Sequence, residues 1–312
     1  MEVREQAPAR TLVVVAGPTA VGKTELCLWL AQVLDSEIVS ADSRQFFREM
    51  TIGTAKPSPA ELAAVPHHFI NSHHIGQDYN AGAFETEALQ TLDGLFREKE
   101  VAILTGGSGL YIRAVCEGMD QMPEVDPALR QRLMQDLEQQ GLPVLLAQLQ
   151  HLDPDYYRQV DQANTQRVIR ALEVCLASGQ PYSHFRVRES SPRPFRIIKI
   201  GLERDRQELY QRIDDRMDQM IAQGLLEEAR ALFSFRHHNA LQTVGYKEIF
   251  DFLEGSYDWE EAVRLLKRNS RRYAKRQLTW FRKDPGFTWF HPNDKTGILA
   301  HIRALMPPGL SH

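Results

Sequence analysis

Polar and apolar positions change period along this chain and divide it into three parts. Residues 11–16 form an apolar, β-prone run with Leu12-Val13-Val14-Val15 at its centre. A run without polar alternation marks a strand buried on both faces of a parallel sheet. Past Thr24 the spacing lengthens: Leu26, Leu30, Val33 and Leu34 recur as on one face of a helix. The same patterns predict strands over 37–41, 101–105 and 196–202, and a short one over 288–291. Helices are predicted over 81–98, starting near Asn80, and over 110–116. Between 119 and 195 helical periodicity dominates, over 127–140, 144–152, 153–160 and 165–178, before loops rich in Gly, Ser and Pro. Helices over 206–223, 225–233, 244–253 and 259–282 follow the strand at 196–202. Strand–helix alternation around a helical block predicts an α/β fold, a parallel sheet flanked by helices with an all-helical insertion domain. The expected division is 1–118 for the first part of the core, 119–195 for the insertion, and 196–312 for the return to the core and the C-terminal helices. The chain before Thr11 reads as a polar end, and Pro307-Pro308-Gly309 onward as a mobile tail.

Gly17-Pro18-Thr19-Ala20-Val21-Gly22-Lys23-Thr24 joins the first strand to the first helix and matches G-x-x-x-x-G-K-[ST], the phosphate-cradling loop. Its glycines let the turn wrap tightly, so that backbone N–H groups point at an anion. The helix N-terminus adds partial positive charge. Lys23 adds a full charge, and the Thr24 hydroxyl is placed for a Mg²⁺ ion. The sheet is therefore expected to be of the P-loop NTPase type. ATP and GTP are the usual occupants of such a loop, and an organic diphosphate fits the same cradle. The sequence has no Asn-Lys-x-Asp for guanine, and no apolar strand ends in the Asp-Glu pair of an ATP-hydrolysing motor.

Composition sharpens this picture in two places. The 312 residues are 43% hydrophobic, enough for a sizeable core, and Cys27, Cys116 and Cys175 lie far apart with no C-x-x-C pairing. That usage argues for a reducing compartment and against a zinc site or disulfide framework. The first apolar run is too short for a signal-peptide core or a membrane span, so a cytoplasmic protein with no membrane partner is expected. The net charge is −4, yet nine lysines and arginines fall between Arg264 and Lys283 with no Asp or Glu among them. Spacing places Arg264, Arg268, Arg271, Lys275 and Arg282 on roughly one helical face, with Tyr273, Trp280 and Phe281 interleaved. A solvated helix normally mixes signs; this one suggests a polyanionic partner. If six of these charges meet phosphates, binding should fall with a log–log salt slope of roughly −4 to −5. Gln166-Arg167 with Arg170 forms a second basic cluster in the insertion.

Three further groups carry possible chemistry. Asp42 ends the second strand, and carboxyl ends of parallel strands face the ligand crevice; it equally suits a cap for the following turn. Gly106-Gly107-Ser108-Gly109 ends another strand and can offer backbone N–H groups and the Ser108 hydroxyl to the same crevice. Arg212 and Arg216, four apart on a predicted helix, can grip a diphosphate together or pair with Asp214, Asp215 and Asp218. His67, His68, His73 and His74 lack metal-ligand spacing and read as structural or surface residues.

In this order the pieces resemble one family over nearly the whole chain, the tRNA dimethylallyltransferases, also called tRNA isopentenyltransferases or IPP transferases. The marks are the phosphate loop, Ser40-Ala-Asp-Ser-Arg-Gln45, Ile52-Gly-Thr-Ala-Lys-Pro57, Pro66-His-His68, Gly106-Gly-Ser-Gly-Leu-Tyr111, Gln166-Arg167 to Arg170-Ala-Leu-Glu173, Val244-Gly-Tyr-Lys247 and Lys275-Arg-Gln-Leu-Thr-Trp280. The resemblance implies prenyl transfer from dimethylallyl diphosphate, with Mg²⁺, to N6 of the adenosine 3′ of the anticodon in tRNAs reading codons that start with U. The phosphate loop would then hold the diphosphate, and Thr24 the metal. Asp42 would act as base, with Ser108, Arg216 and Arg212 completing the catalytic set. The implied tRNA path runs over Asp42, Ser43, Arg44, Gln45, Ser108, Arg130, Gln166, Arg167, Val168, Ile169, Arg170, Gln242, Thr243, Val244, Gly245, Tyr246, Lys247, Lys275, Arg276, Gln277, Leu278, Thr279, Trp280, Phe281 and Arg282. Ser108 stands where threonine is common, Phe46-Phe47 where Val-Tyr is usual, and Asn71-Ser72-His73-His74 replaces an Asp-containing stretch. With no zinc finger after the basic helix, the likeness is to bacterial members, and a monomer is expected. The competing readings are a small-molecule P-loop kinase, an isopentenyltransferase acting on free adenine nucleotide, and a non-catalytic RNA-binding protein.

Overall fold

The computed structural model describes residues 10–186 and 190–307. The N-terminal segment up to Ala9 and the tail beyond Pro307 lie outside the described residues. The first part of the chain runs β1 (Thr11–Ala16), α1 (Lys23–Val33), β2 (Ile38–Ser40), α2 (Pro59–Ala64), β3 (His67–His68), α3 (Ala81–Leu95), β4 (Val101–Gly106) and α4 (Gly109–Glu117). Four helices follow, α5 (Pro127–Gln140), α6 (Leu142–Leu152), α7 (Pro154–Gln159) and α8 (Thr165–Ser178). The chain then returns through β5 (Arg196–Leu202), α9 (Arg206–Ala222), α10 (Leu225–Ala231), α11 (Tyr246–Leu253), α12 (Trp259–Phe281), β6 (Phe287–Phe290) and α13 (Lys295–Leu305). Two compact units result: 117–191, and the remainder of the chain.

The sheet has the order β3-β2-β4-β1-β5-β6, and every pairing is parallel. β1 lies between β4 and β5, and its six residues are all buried. Alternation explains where they go: Val13 and Val15 join one core, while Leu12, Val14 and Ala16 join another. The first core takes Leu26 and Leu30 of α1, Leu209 and Ile213 of α9, and Ile298 and Ile302 of α13. The second takes Phe84, Ala88 and Leu92 of α3 with Ile112 and Val115 of α4. Each fully buried Val, Leu or Ile contributes roughly 1.5–3 kcal/mol, so this two-sided burial holds the strands in register. A third core, around Met217, Leu225, Tyr246 and Leu266, packs α9 to α12 together. Because the strands run parallel, the ends of β1, β2 and β4 all deliver their loops to one edge of the sheet.

The 117–191 unit has its own core of Leu133, Leu145, Leu149, Val168, Ile169 and Leu172. Buried Asp153 ties its helices, accepting from the Tyr156 and Ser183 amides at 2.9 and 2.7 Å. Most predicted elements stand within a few residues of expectation. Three elements lie where none is predicted: α2, in a stretch that reads as a loop, the two-residue edge strand β3, and α13.

Candidate active site

Four segments meet at the carboxyl edge of the sheet. The phosphate loop leaves β1, turns through Ala20 at φ 62° and Gly22 at φ 112°, and enters α1. Lys23 folds back on this loop, donating to the Gly17 and Pro18 carbonyls at 2.9 and 2.8 Å. Burial pushes its ammonium down to about 8, against the pull of the Asp42 carboxylate and with the push of Arg216. The 42–45 turn leaves β2, and Asp42 Oδ1 accepts the Arg44 amide at 3.0 Å. The same carboxylate thus caps the turn and acts electrostatically on Lys23, Arg216 and Tyr273. Its turn-capping and site-facing readings are both realised.

The third segment is α9, started by Asp205, whose carboxylate accepts the Gln207 and Glu208 amides at 2.7 and 3.3 Å. This fixes the face on which Arg212 and Arg216 lie. Arg212 Nε donates to the Ala20 carbonyl at 2.9 Å, and an Arg216 terminal nitrogen reaches Thr19 Oγ1 at 3.4 Å. Asp214, Asp215 and Asp218 turn elsewhere, to Arg271, Gln211 and Lys267. The two arginines therefore face the loop and not their neighbouring acids. From behind, Arg204 Nε donates to the Val21 carbonyl at 2.7 Å.

The fourth segment is α12, which brings Gln277 and Tyr273. Gln277 is 6% exposed, and its amide bridges two loops: Oε1 accepts the Thr19 amide at 2.9 Å and Nε2 donates to the Gly107 carbonyl at 3.0 Å. The approach is so close that a Cβ on Gly107 would lie 2.3 Å from Gln277 Nε2. The Tyr273 phenol is raised to about 12 by burial and by Asp42, so it remains a hydrogen-bond donor.

These segments enclose a cavity of about 790 Å³ lined by Thr19, Lys23, Thr24, Asp42, Arg44, Gln45, Arg212, Arg216, Tyr273 and Gln277, with residues 51–59 and Thr243–Gly245 completing the wall. A recess of about 50 Å³ beside Lys23 is lined by Thr24, Cys27, Ser40, Asp42, Gln45 and Thr105. Burial pushes the Cys27 thiol up to about 12, so it is inert.

Several residues on the implied tRNA path do not present their side chains. Val168, Ile169, Tyr246 and Phe281 are buried in hydrophobic cores, because a contiguous helical stretch necessarily sends part of its residues inward. Leu278 packs against the same core as β1. Gln277 braces the phosphate loop. Ser108 does not line the cavity: its hydroxyl accepts the Ser43 amide and donates to Ser43 Oγ, both at 3.0 Å, which ties the 42–45 turn to the end of β4. The basic face of α12 is also less open than its spacing suggested. Arg264, Lys267, Arg271 and Arg282 pair with Glu261, Asp218, Asp214 and Glu203. Lys275, Arg276 and Thr279 are exposed, and Trp280 lies 37% exposed under Arg113, 5.7 Å from its ring centre. Gln242 and Lys247 are exposed as well.

Within the 117–191 unit, buried Glu173 holds Arg130 at 2.7 Å and Arg170 at 3.2 Å, and Arg130 also donates to Gln166. Arg167 is exposed beside them. The four histidines are each engaged: His67 on the Val65 carbonyl, His68 on Glu37, His73 on Ser72 and His74 on Glu49. Sequence reasoning missed Tyr273 as a site residue, having seen only an aromatic among cations. It also missed Glu228, whose three backbone partners are 175 to 177 residues away.

Comparisons with known proteins identify the family. The IPP transferase family model matches residues 45–284. The chain is 50% identical over 293 residues to tRNA dimethylallyltransferase 1 of Bacteroides thetaiotaomicron, covering 94% of this chain and 95% of that protein. It is 53% identical to tRNA dimethylallyltransferase 2 of Porphyromonas gingivalis, covering 94% and 98%. The crystal structure of the tRNA isopentenylpyrophosphate transferase of Bacillus halodurans superposes with a TM-score of 0.70 at 36% identity, covering 95% and 96% of the two chains. A eukaryotic dimethylallyltransferase acting on tRNA gives 0.73 at 27% identity, covering 87% and 69%. A family model that spans residues 45–284 and relatives about half identical over 94% of this chain show that the chain belongs to the IPP transferase family.

Proposed function

We propose that this protein transfers a dimethylallyl group from dimethylallyl diphosphate to N6 of the adenosine 3′ of the anticodon, in tRNAs reading codons that start with U. The observation that carries the reading is one cavity lined by both an anion cradle, Lys23 with Arg212 and Arg216, and the Asp42 carboxylate. The amine attacks C1 of the prenyl group, the C1–O bond breaks, and diphosphate leaves with the electron pair. The N6 proton passes to Asp42. An adenine amine is a poor nucleophile, because its lone pair is delocalised into the ring, and proton removal by a positioned carboxylate contributes about 10²–10⁴-fold. Lys23, Arg216 and the loop amides stabilise the departing charge. Tyr273 lines the same cavity.

Mg²⁺ fits the residues present. The recess beside Lys23 offers the hydroxyls of Thr24, Ser40 and Thr105 and the Asp42 carboxylate, all hard oxygen donors. Among the described residues no three His, Cys, Asp or Glu side chains gather, which suits an ion held mainly by substrate phosphates. Thr24 would hold it, and it would neutralise diphosphate charge. The acceptor base must leave its stack, at a cost of a few kcal/mol, less in a loop than in a duplex. The exposed cations of α12 and the Arg130, Arg167 and Arg170 group suit the anticodon stem-loop. Among the described residues no helix is long and apolar enough to cross a membrane. We place the protein in the cytoplasm with its tRNA substrate, acting as a monomer, which light scattering checks.

Labelled dimethylallyl diphosphate mixed with unmodified tRNA tests the reading. Label should appear in N6-prenylated adenosine. Asp42→Ala should retain tRNA binding and lose about 10²–10⁴-fold in turnover. ATP consumption with no labelled RNA would overturn the reading in favour of a small-molecule kinase.

A further inference from the structure

One stretch of the cavity wall is fixed from outside the reacting groups. Residues 51–57 line the cavity, and three successive amides of this strip converge on one carboxylate of α10. Glu228 Oε2 accepts from Thr51 at 3.0 Å and Ile52 at 2.8 Å, and Oε1 accepts from Gly53 at 2.9 Å. Tyr246 donates its phenol to the same Oε1 at 2.5 Å. Successive backbone N–H groups of this kind form a nest, a concavity for an anion, and here the protein's own carboxylate fills it. The Tyr246 ring closes so tightly on the strip that a Cβ on Gly53 would lie 2.6 Å from it.

The opposite edge of the strip is held by its carbonyls. Gln45 Nε2 donates to Thr54 O at 3.2 Å and Ala55 O at 3.1 Å. Ala55 sits at φ 47°, a conformation that a non-glycine residue keeps only when its surroundings over-determine it. Gln45 belongs to the turn that starts at Asp42, so the strip connects α10 to the turn that carries the carboxylate. The phosphate loop is braced separately, by Gln277, Arg212 and Arg204.

We propose that Glu228 is a positioning residue for the acceptor: it sets the wall against which the nucleoside is held beside Asp42, and leaves the diphosphate end unaffected. The inference rests on the cavity being the prenyl-transfer site. Glu228→Gln keeps the volume but withdraws the second acceptor oxygen and puts an NH₂ group against the strip's donors.

The test uses the full chain, with active sites titrated so that unfolded protein is divided out. kcat/KM for an anticodon stem-loop should fall about 10- to 100-fold, with the pyrophosphate inhibition constant within about threefold of wild type. A matching rise in the pyrophosphate constant would mean general loosening and overturn the proposal, as would an unchanged kcat/KM. If Glu228→Gln does not accumulate folded, Glu228→Asp, which keeps the charge but is too short to reach all three amides, must give the same RNA-selective loss. Hydrogen exchange at residues 51–57 reads the wall without turnover: the variant should speed it about tenfold or more while the amides of residues 17–24 keep their protection. Unchanged exchange overturns the proposal even if the wild-type chain labels no RNA, a result that by itself sinks only the proposed function.

Discussion

Two groups of cations dominate this molecule, and they differ in what they touch. Around the phosphate loop, Lys23 and Arg212 rest on backbone carbonyls and Arg216 on a hydroxyl. Among the described residues none of the three has a carboxylate at ion-pair distance. Of the nine cations on and just after α12, four are matched by acids: Glu261 in the first turn of α12, Asp218 and Asp214 on α9, and Glu203 after β5. A carbonyl orients a cation without cancelling its charge, whereas a carboxylate cancels it. The smaller group, though it feels the Asp42 carboxylate, is therefore not neutralised by direct ion pairs, whereas the larger group in part is. Counting charges along the sequence reverses this ranking, because it cannot see the partner.

Cutting the brace that holds the smaller group is expected to have the largest effect. Gln277→Leu removes both bonds of the amide and leaves the Thr19 N–H and the Gly107 carbonyl without partners. Each unsatisfied buried group costs about 1–3 kcal/mol. A displaced loop then misplaces the leaving group, and kcat/KM should fall about 10- to 100-fold. Pyrophosphate affinity should fall with it, unlike the selective loss expected at Glu228. Isothermal titration with pyrophosphate beside steady-state kinetics separates the two.

Lys23 gives the next largest effect, through pH. Its ammonium is pushed down to about 8 from 10.5, so the free loop is half charged near pH 8, charged well below it and neutral well above it. A bound diphosphate favours the protonated form. Binding should therefore weaken by up to about tenfold per pH unit above 8, with about one proton taken up per ligand. Between pH 8 and 10.5 the unfolded chain holds the more protons at this group. Its contribution to stability therefore rises with pH across that window and is least favourable below it. Titrations in buffers of different ionisation enthalpy count the proton, and Lys23→Met should abolish the uptake.

How much of this was legible beforehand follows from the range of the interactions. β1, the phosphate loop and α1 are local: period, glycines and lysine all lie within a short stretch of sequence. The helix α2 was legible too, since Ser58-Pro-Ala-Glu61 is a capping box with proline at its first turn, and the Ser58 and Glu61 bonds are both formed. Gly53, Pro57 and Pro59 nevertheless make this stretch read as a loop. β3 gave no signal, because two histidines paired at a sheet edge carry no periodicity. Gln277 could not be placed by any local rule. Its partner Thr19 is 258 residues away, and the motif around it is otherwise exposed and basic. A contiguous motif records which residues a site needs without saying which face the ligand and which hold the frame.

The smallest effect separates the two cation groups most directly. Nine charges in the basic window suggested six phosphate contacts and a salt slope of roughly −4 to −5. Among the described residues Arg268, Arg272, Lys275, Arg276 and Lys283 have no acidic partner. If these five are the ones that meet RNA phosphates, the slope is roughly −3.5 to −4.5. Neutralising an open cation, as in Lys275→Gln, should reduce its magnitude by about 0.7 to 0.9. Arg271→Gln should scarcely change it, because that guanidinium is held by both oxygens of Asp214 at 2.5 and 2.6 Å. Filter binding of an anticodon stem-loop across a salt series measures all three. Equal slope changes for the two variants would mean that pairing with α9 does not withdraw charge from the surface, and the distinction between carbonyl-held and carboxylate-held cations would fail.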